Sequence, residues 1–169
     1  MIKKIIYALA VILVVIQFIP MNNEEVNSNE FEISKNFEVP DHVATLLQGA
    51  CNNCHSHTTT YPWYANLQPI GFWLKHHVDE GKEHLNFSEF TSLPLRVQNH
   101  KFEEIVEMVE SKEMPLPSYT YLGLHPEANL SDADRRVLVE WAKEQMAKMA
   151  ASYPADSLKM RPRPAAAEQ

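Results

Sequence analysis

DHVATLLQGACNNCH, residues 41–55, is an amphipathic run that ends in two cysteines and a histidine. Val43, Leu46, Leu47 and Ala50 recur at helical spacing and predict one apolar helix face. Pro40-Asp41 is suited to start that helix, with Asp41 as its N-cap. The helix leads straight into Cys51-Asn52-Asn53-Cys54-His55. Two thiols at this spacing can add to the two vinyl groups of one porphyrin, while the adjacent imidazole turns under the iron as proximal ligand. A zinc site would need two further ligands, and none of His57, His76, His77 or His84 sits in a paired motif of the usual spacing. A redox dithiol expects a βαβ setting, which the helical pattern around these cysteines does not supply. The motif is therefore read as attachment of one haem c, covalently, through Cys51 and Cys54, with His55 on the iron. Because the chain's only cysteines lie within this motif, no long-range disulfide is expected.

Upstream, Lys3 and Lys4 precede an apolar run from Ile5 to Ile19, which ends at Pro20 and is followed by Met21-Asn22-Asn23-Glu24-Glu25. That pattern is a signal peptide or signal anchor. The run is short for a spanning helix, yet no small-x-small cleavage site follows it. An uncleaved anchor over residues 1–20 is expected, with a polar tether over 21–38, the haem domain over 39–150 and a disordered tail over 151–169. Lysines before the run and glutamates after it place the N-terminus inside a bacterial cytoplasmic membrane and the domain on the periplasmic side.

Downstream, a helix is expected from about Pro69 to Glu80, ended by Gly81, with Ile70, Trp73, Leu74, His77 and Val78 on its apolar side. Another spans about Pro94 to Lys112 and carries Phe102, Ile105, Val106 and Val109. Met114-Pro115-Leu116-Pro117 stops it, because proline lacks an amide donor. A last helix starts at Ser131, with Asp132 and Asp134 near the positive end of its dipole, and buries Val137, Leu138 and Trp141.

The iron's other face separates a carrier from an enzyme. Met114, between a helix end and two prolines, is the leading distal ligand, against the alternative that it only fills core space. His77 and His125 are its rivals, and an open or water-bound face is the remaining possibility. The Nδ1 hydrogen of His55 needs a carbonyl acceptor, for which Pro69 or a neighbour is a candidate. Trp63, Tyr64, Tyr119 and Tyr121 offer N–H or O–H groups that could reach buried propionates, although each could equally be ordinary core.

Four glycines against eleven prolines suggest helices joined by stiff connections, so the fold class is mainly α. Fifteen basic and twenty-two acidic residues give a formal charge of −7, which disfavours nucleic acid and favours partners with basic patches.

The chain resembles the bacterial haem-binding domain family of small exported or membrane-anchored proteins. The resemblance rests on Cys51-Asn52-Asn53-Cys54-His55-Ser56, Tyr61-Pro62-Trp63-Tyr64, His77-Val78 with Gly81, and Leu85-Asn86-Phe87-Ser88-Glu89-Phe90. Met114-Pro115 with Tyr119, and His125-Pro126-Glu127-Ala128-Asn129-Leu130-Ser131 before Trp141, complete it, covering about residues 35 to 150. It implies a cytochrome-c-like small helical domain with one haem, its last helix packed against its first. It implies no substrate, and it leaves His77 and the Asn86 to Phe90 segment without a role.

The expected function is a membrane-anchored mono-haem c-type cytochrome that carries single electrons between periplasmic or membrane redox proteins, with His55 and Met114 as axial ligands. A peroxidase-like haem enzyme, or a haem-based gas or redox sensor, is the alternative if the distal ligand exchanges.

Overall fold

Helices make up the domain, and most of them begin and end for a local reason. The computed structural model describes residues 1–20 and 28–161, and no strand occurs among the described residues. In chain order the helices are α1 (Ile2–Ile16), α2 (Asp41–Ala50), α3 (Asn52–His55), α4 (Ile70–His84), α5 (Leu95–Glu110), α6 (Pro117–Thr120), α7 (Asp132–Ser152) and α8 (Ala155–Leu158). Short 3-10 turns fill several of the connections.

The packing centre is the pair α5 and α7, with α8 folding back on both and α2 touching α7. α7 begins at a capping box: the Asp134 N–H donates to Ser131 Oγ at 3.1 Å, and the Ser131 N–H donates to the Asp134 carboxylate at 3.0 Å. Two otherwise orphaned amides are thereby satisfied. Between the helices sits an aromatic cluster. Phe102 is fully buried, 5.0 Å from the rings of both Phe37 and Phe90 and 5.7 Å from Trp141. The Trp141 indole N–H reaches the Glu38 carbonyl at 2.9 Å, tying the segment before α2 to α7.

That segment is more than a tether. Ile33 and Phe37 belong to the buried core, so the expected boundary at residue 38 falls too late. Two apolar anchors within a polar stretch are enough to fold it onto the domain, because fully burying each contributes about 1.5–3 kcal/mol. The remaining expected tether, residues 21–27, lies outside the described residues. The expected tail likewise starts too early: α7 runs to Ser152, and Leu158 in α8 packs against the core. Residues 162–169 lie outside the described residues.

Other expectations shift in detail. Pro40, not Asp41, occupies the N-cap of α2, and Asp41 stands in the first turn. α5 ends at Glu110, two residues early, and Lys112 turns the chain with a positive φ of 64°. α4 passes through Gly81 to His84. Its buried stripe is Gly71, Leu74 and Val78, while Ile70 and Trp73 are exposed. Gly71 decides that rotation: a Cβ there would collide with the Ala65 carbonyl oxygen, so only glycine lets the preceding turn sit against this face.

α1 has 15 residues and buries none of them. At about 1.5 Å per residue it is roughly 22 Å long, against about 30 Å of bilayer hydrocarbon. No helix among the described residues is long and apolar enough to cross a membrane, so helix length does not support the expected spanning anchor.

The aromatic cluster yields a first prediction. Phe102→Ala should destabilise the domain by roughly 3–5 kcal/mol, the usual cost of emptying a packed aromatic site, in equilibrium denaturant unfolding. A loss under about 1 kcal/mol would mean that α5 and α7 do not depend on this cluster.

Candidate functional site

α2 gives way to α3 at Cys51, whose N–H still reaches the Leu47 carbonyl at 2.9 Å. The Cys51 carbonyl then accepts from the amides of Cys54 and His55 at 3.1 and 3.0 Å. One tight turn therefore carries both thiols and the imidazole. His55 is held from two sides. Its Nδ1 lies 2.9 Å from the Gly81 carbonyl and 2.9 Å from that of Leu85, in the last turn of α4 and just beyond it. Its own carbonyl accepts the Phe87 N–H at 2.7 Å.

The Nδ1 acceptor is therefore not Pro69, whose carbonyl takes the Trp73 amide inside α4. The Leu85 carbonyl lies beyond the helix, and the Gly81 carbonyl, which also accepts the Leu85 N–H at 2.9 Å, takes the imidazole hydrogen on its second lone pair. Burial pulls the His55 pKa down, while the bonds to Leu85 and Gly81 work the other way. A neutral ring with its hydrogen on Nδ1 leaves the Nε2 lone pair available to a metal.

The Asn86 to Phe90 segment now has a structural role. Besides the Phe87 amide, the Ser88 hydroxyl accepts the His57 N–H at 3.0 Å, and Asn86 Oδ1 accepts the Ser88 N–H at 3.0 Å. The Phe87 carbonyl takes the Ile33 N–H at 2.8 Å, joining the histidine turn to the core.

A cavity of about 570 Å³ opens against this turn, lined by Cys51, Cys54, His55, His77, Met114 and Tyr119 among others. Met114 is half-buried on it. The Met114 N–H donates to the Met108 carbonyl at 3.1 Å, and its carbonyl accepts from Arg135 at 2.6 Å. Arg135 also donates to the Val109 carbonyl at 3.1 Å, so one guanidinium fastens the methionine loop to the end of α5. Nothing in the sequence marks that arginine, because its partners are carbonyls rather than acids.

Both cysteines are free thiols. Burial, and secondarily Cys54, push Cys51 up to about 12, and burial raises Cys54 as well. A reactive dithiol needs the opposite shift. Among the described residues, no group of three or more His, Cys, Asp or Glu side chains is placed to hold a metal ion. An iron porphyrin fits what is present: two thiols and a neutral imidazole on one turn, a largely apolar cavity of suitable size, and a thioether on the same cavity. His77 also lines it, and its buried Nδ1 finds no hydrogen-bond partner among the described residues.

Other expected contacts lie elsewhere. His125 does not line the cavity: it is buried between the Tyr64 hydroxyl at Nε2 and Glu127 at Nδ1, 3.2 Å away, with its ring stacked on Tyr119 at 3.8 Å. Tyr119 itself is on the cavity and accepts from Asn53 Nδ2 at 3.3 Å. Tyr64 is drawn away by His125, while Trp63 and Tyr121 face solvent and Pro69 is exposed. Trp63, Tyr64, Pro69 and Tyr121 are therefore off the cavity that was expected to gather them. Periodicity could not show this, since all four sit in or beside short turns with no repeating face.

Gly81 yields a second prediction. A Cβ there would meet the Cys54 carbonyl oxygen at 2.7 Å and the Cys54 Cβ at 3.3 Å. Gly81→Ala should push α4 off the histidine turn and destabilise the domain by about 1–3 kcal/mol in denaturant unfolding. Unchanged stability would show that this approach is not tight.

No curated protein and no solved structure matches the chain. A family model described as a haem-binding domain matches residues 11–144, which include both cysteines, His55 and Met114. The chain belongs to the haem-binding domain family.

Proposed function

We propose that this protein is a membrane-held c-type cytochrome that binds one haem covalently through Cys51 and Cys54 and passes single electrons. The observation that carries the proposal is the presence of His55 and Met114 on one cavity with both thiols. The bound iron porphyrin supplies a one-electron couple.

The chain's own residues do the rest. Cys51 and Cys54 would hold the group, each thiol adding across one vinyl so that its hydrogen would go to one vinyl carbon and its sulfur to the other. Their neutrality is no obstacle, since the addition consumes the whole S–H. Gly81 and Leu85 hold the hydrogen of His55 on Nδ1, which turns Nε2 outward and raises its basicity. Arg135 and the Met108 carbonyl keep Met114 from swinging away. A thioether is a weak ligand and depends on such positioning. The apolar lining excludes water and favours the less charged, reduced site.

The overall charge of −7 favours redox partners with basic docking patches, and association with them should slow as salt rises. Lys3 and Lys4 in the first turn of the unburied α1, ahead of its apolar stretch, support insertion of that segment in a bacterial cytoplasmic membrane, with the domain on the periplasmic face. A cytochrome-c-like arrangement is supported by the contact of α7 with α2.

A second reading keeps a specific observation: His77, with its orphaned Nδ1, shares the cavity and is the alternative distal ligand. Absorption spectra of the haem-loaded protein distinguish the two. A six-coordinate low-spin spectrum with a methionine-to-iron charge-transfer band is expected, absent in Met114→Ala and weakened in Arg135→Ala. A bis-histidine spectrum that Met114→Ala leaves intact and His77→Ala abolishes would replace Met114 by His77. A high-spin spectrum with rapid cyanide binding would favour the enzyme or sensor alternative.

A further inference from the structure

The carboxamide of Gln17, at the end of α1, grips the backbone of Gln68 at both ends. Gln17 Nε2 donates to the Gln68 carbonyl at 2.9 Å, and Gln17 Oε1 accepts the Gln68 N–H at 2.9 Å. Gln68 is buried, and its own Oε1 accepts the Phe72 N–H at 3.1 Å, satisfying an amide in the first turn of α4. The apolar helix is thus stitched to the start of α4 rather than trailing from the domain.

Beside that stitch the domain exposes large apolar side chains. Trp63 is 73% exposed, Leu67 46% and Ile70 44%, and Phe18 continues the surface from the α1 side at 83%. Leu67 and Ile70 flank the Gln68-Pro69 junction that Gln17 grips. None of these residues lines the haem cavity. From Thr58 to Leu74 the sequence carries no Asp, Glu, Lys, Arg or His, in a chain of which 22% is charged. A solvated surface or a docking site for a charged protein would not avoid charge over such a length. Tryptophan with aliphatic neighbours and uncharged polar groups matches the interfacial zone of a bilayer.

Resting on the membrane-held reading above, we propose that Trp63, Leu67 and Ile70, continuous with Phe18, form a lipid-contacting face that seats the domain on the bilayer. The short α1 fits this arrangement. A helix of roughly 22 Å falls short of about 30 Å of hydrocarbon, and a short span is accommodated by local bilayer thinning and by flanking residues reaching into the interface, which brings the residues next to α1 to the lipid. Gln17 marks the depth at which the chain leaves the apolar layer. The seated domain holds the haem cavity, of which Trp73 is part, close to the membrane plane.

The test uses the full chain matured with haem and reconstituted in phosphatidylcholine vesicles that contain a lipid with a diazirine near the top of its acyl chain. After flotation and irradiation, lipid adducts are mapped by mass spectrometry of peptides. Adducts are expected on Trp63, Leu67 or Ile70 as well as on α1. In a Trp63→Ser, Leu67→Ser, Ile70→Ser variant with an unchanged haem spectrum, the domain adducts should vanish while flotation persists. Adducts confined to α1 in the native chain overturn the lipid face, whether water, a second copy or another protein covers it, and leave the membrane-held reading standing. Failure to float overturns both.

Discussion

The site depends on the pair of bonds from His55 Nδ1 to the carbonyls of Gly81 and Leu85. A histidine can bind a metal through Nε2 only if its other nitrogen keeps the hydrogen and the ring is held still. The end of α4 meets both needs: the Leu85 carbonyl lies just past the helix, and the Gly81 carbonyl, which also takes the Leu85 N–H at 2.9 Å, has a second lone pair to offer. The same contact draws α4 onto α3 so closely that position 81 has no room for a side chain. It also puts the Leu85 to Glu89 strap behind the histidine, where the Phe87 amide closes on the His55 carbonyl.

From that contact the rest of the molecule follows outward in two directions. The strap reaches Ile33 and, through the aromatic cluster, the α5 and α7 pair. α5 ends in the turn that presents Met114, and Arg135 from α7 holds that turn in place. The two residues proposed as axial ligands are therefore positioned by different parts of one core. If Met114 ligates the iron as proposed, loosening the core should break that weak thioether bond before the chain unfolds.

Much of this was legible beforehand, and the reason is local. Cys51, Cys54 and His55 are adjacent, so their grouping needs no tertiary information, and the helices around Leu47, Leu74, Phe102 and Leu138 declare themselves by period. What was hidden depended on approach between segments. Gly81 reads as a helix stop by propensity, yet it lies inside α4 because Cys54 packs there. Ile70 and Trp73 share the apolar period of α4, but Gly71 turns a different stripe inward. Ile33 and Phe37 are isolated within polar sequence and show no period at all. Arg135 and the Tyr64–His125–Glu127 chain join residues that no spacing rule connects.

Attachment of the haem through both thiols is the central claim, and intact-mass measurement of the denatured protein after maturation with haem tests it most directly. The chain should carry one haem mass that survives denaturant and acidified organic solvent, with the adduct on the peptide that contains Cys51 and Cys54, and Cys51→Ser with Cys54→Ser should abolish it. A denatured native chain of unmodified mass, with both thiols free to alkylate, would contradict covalent attachment.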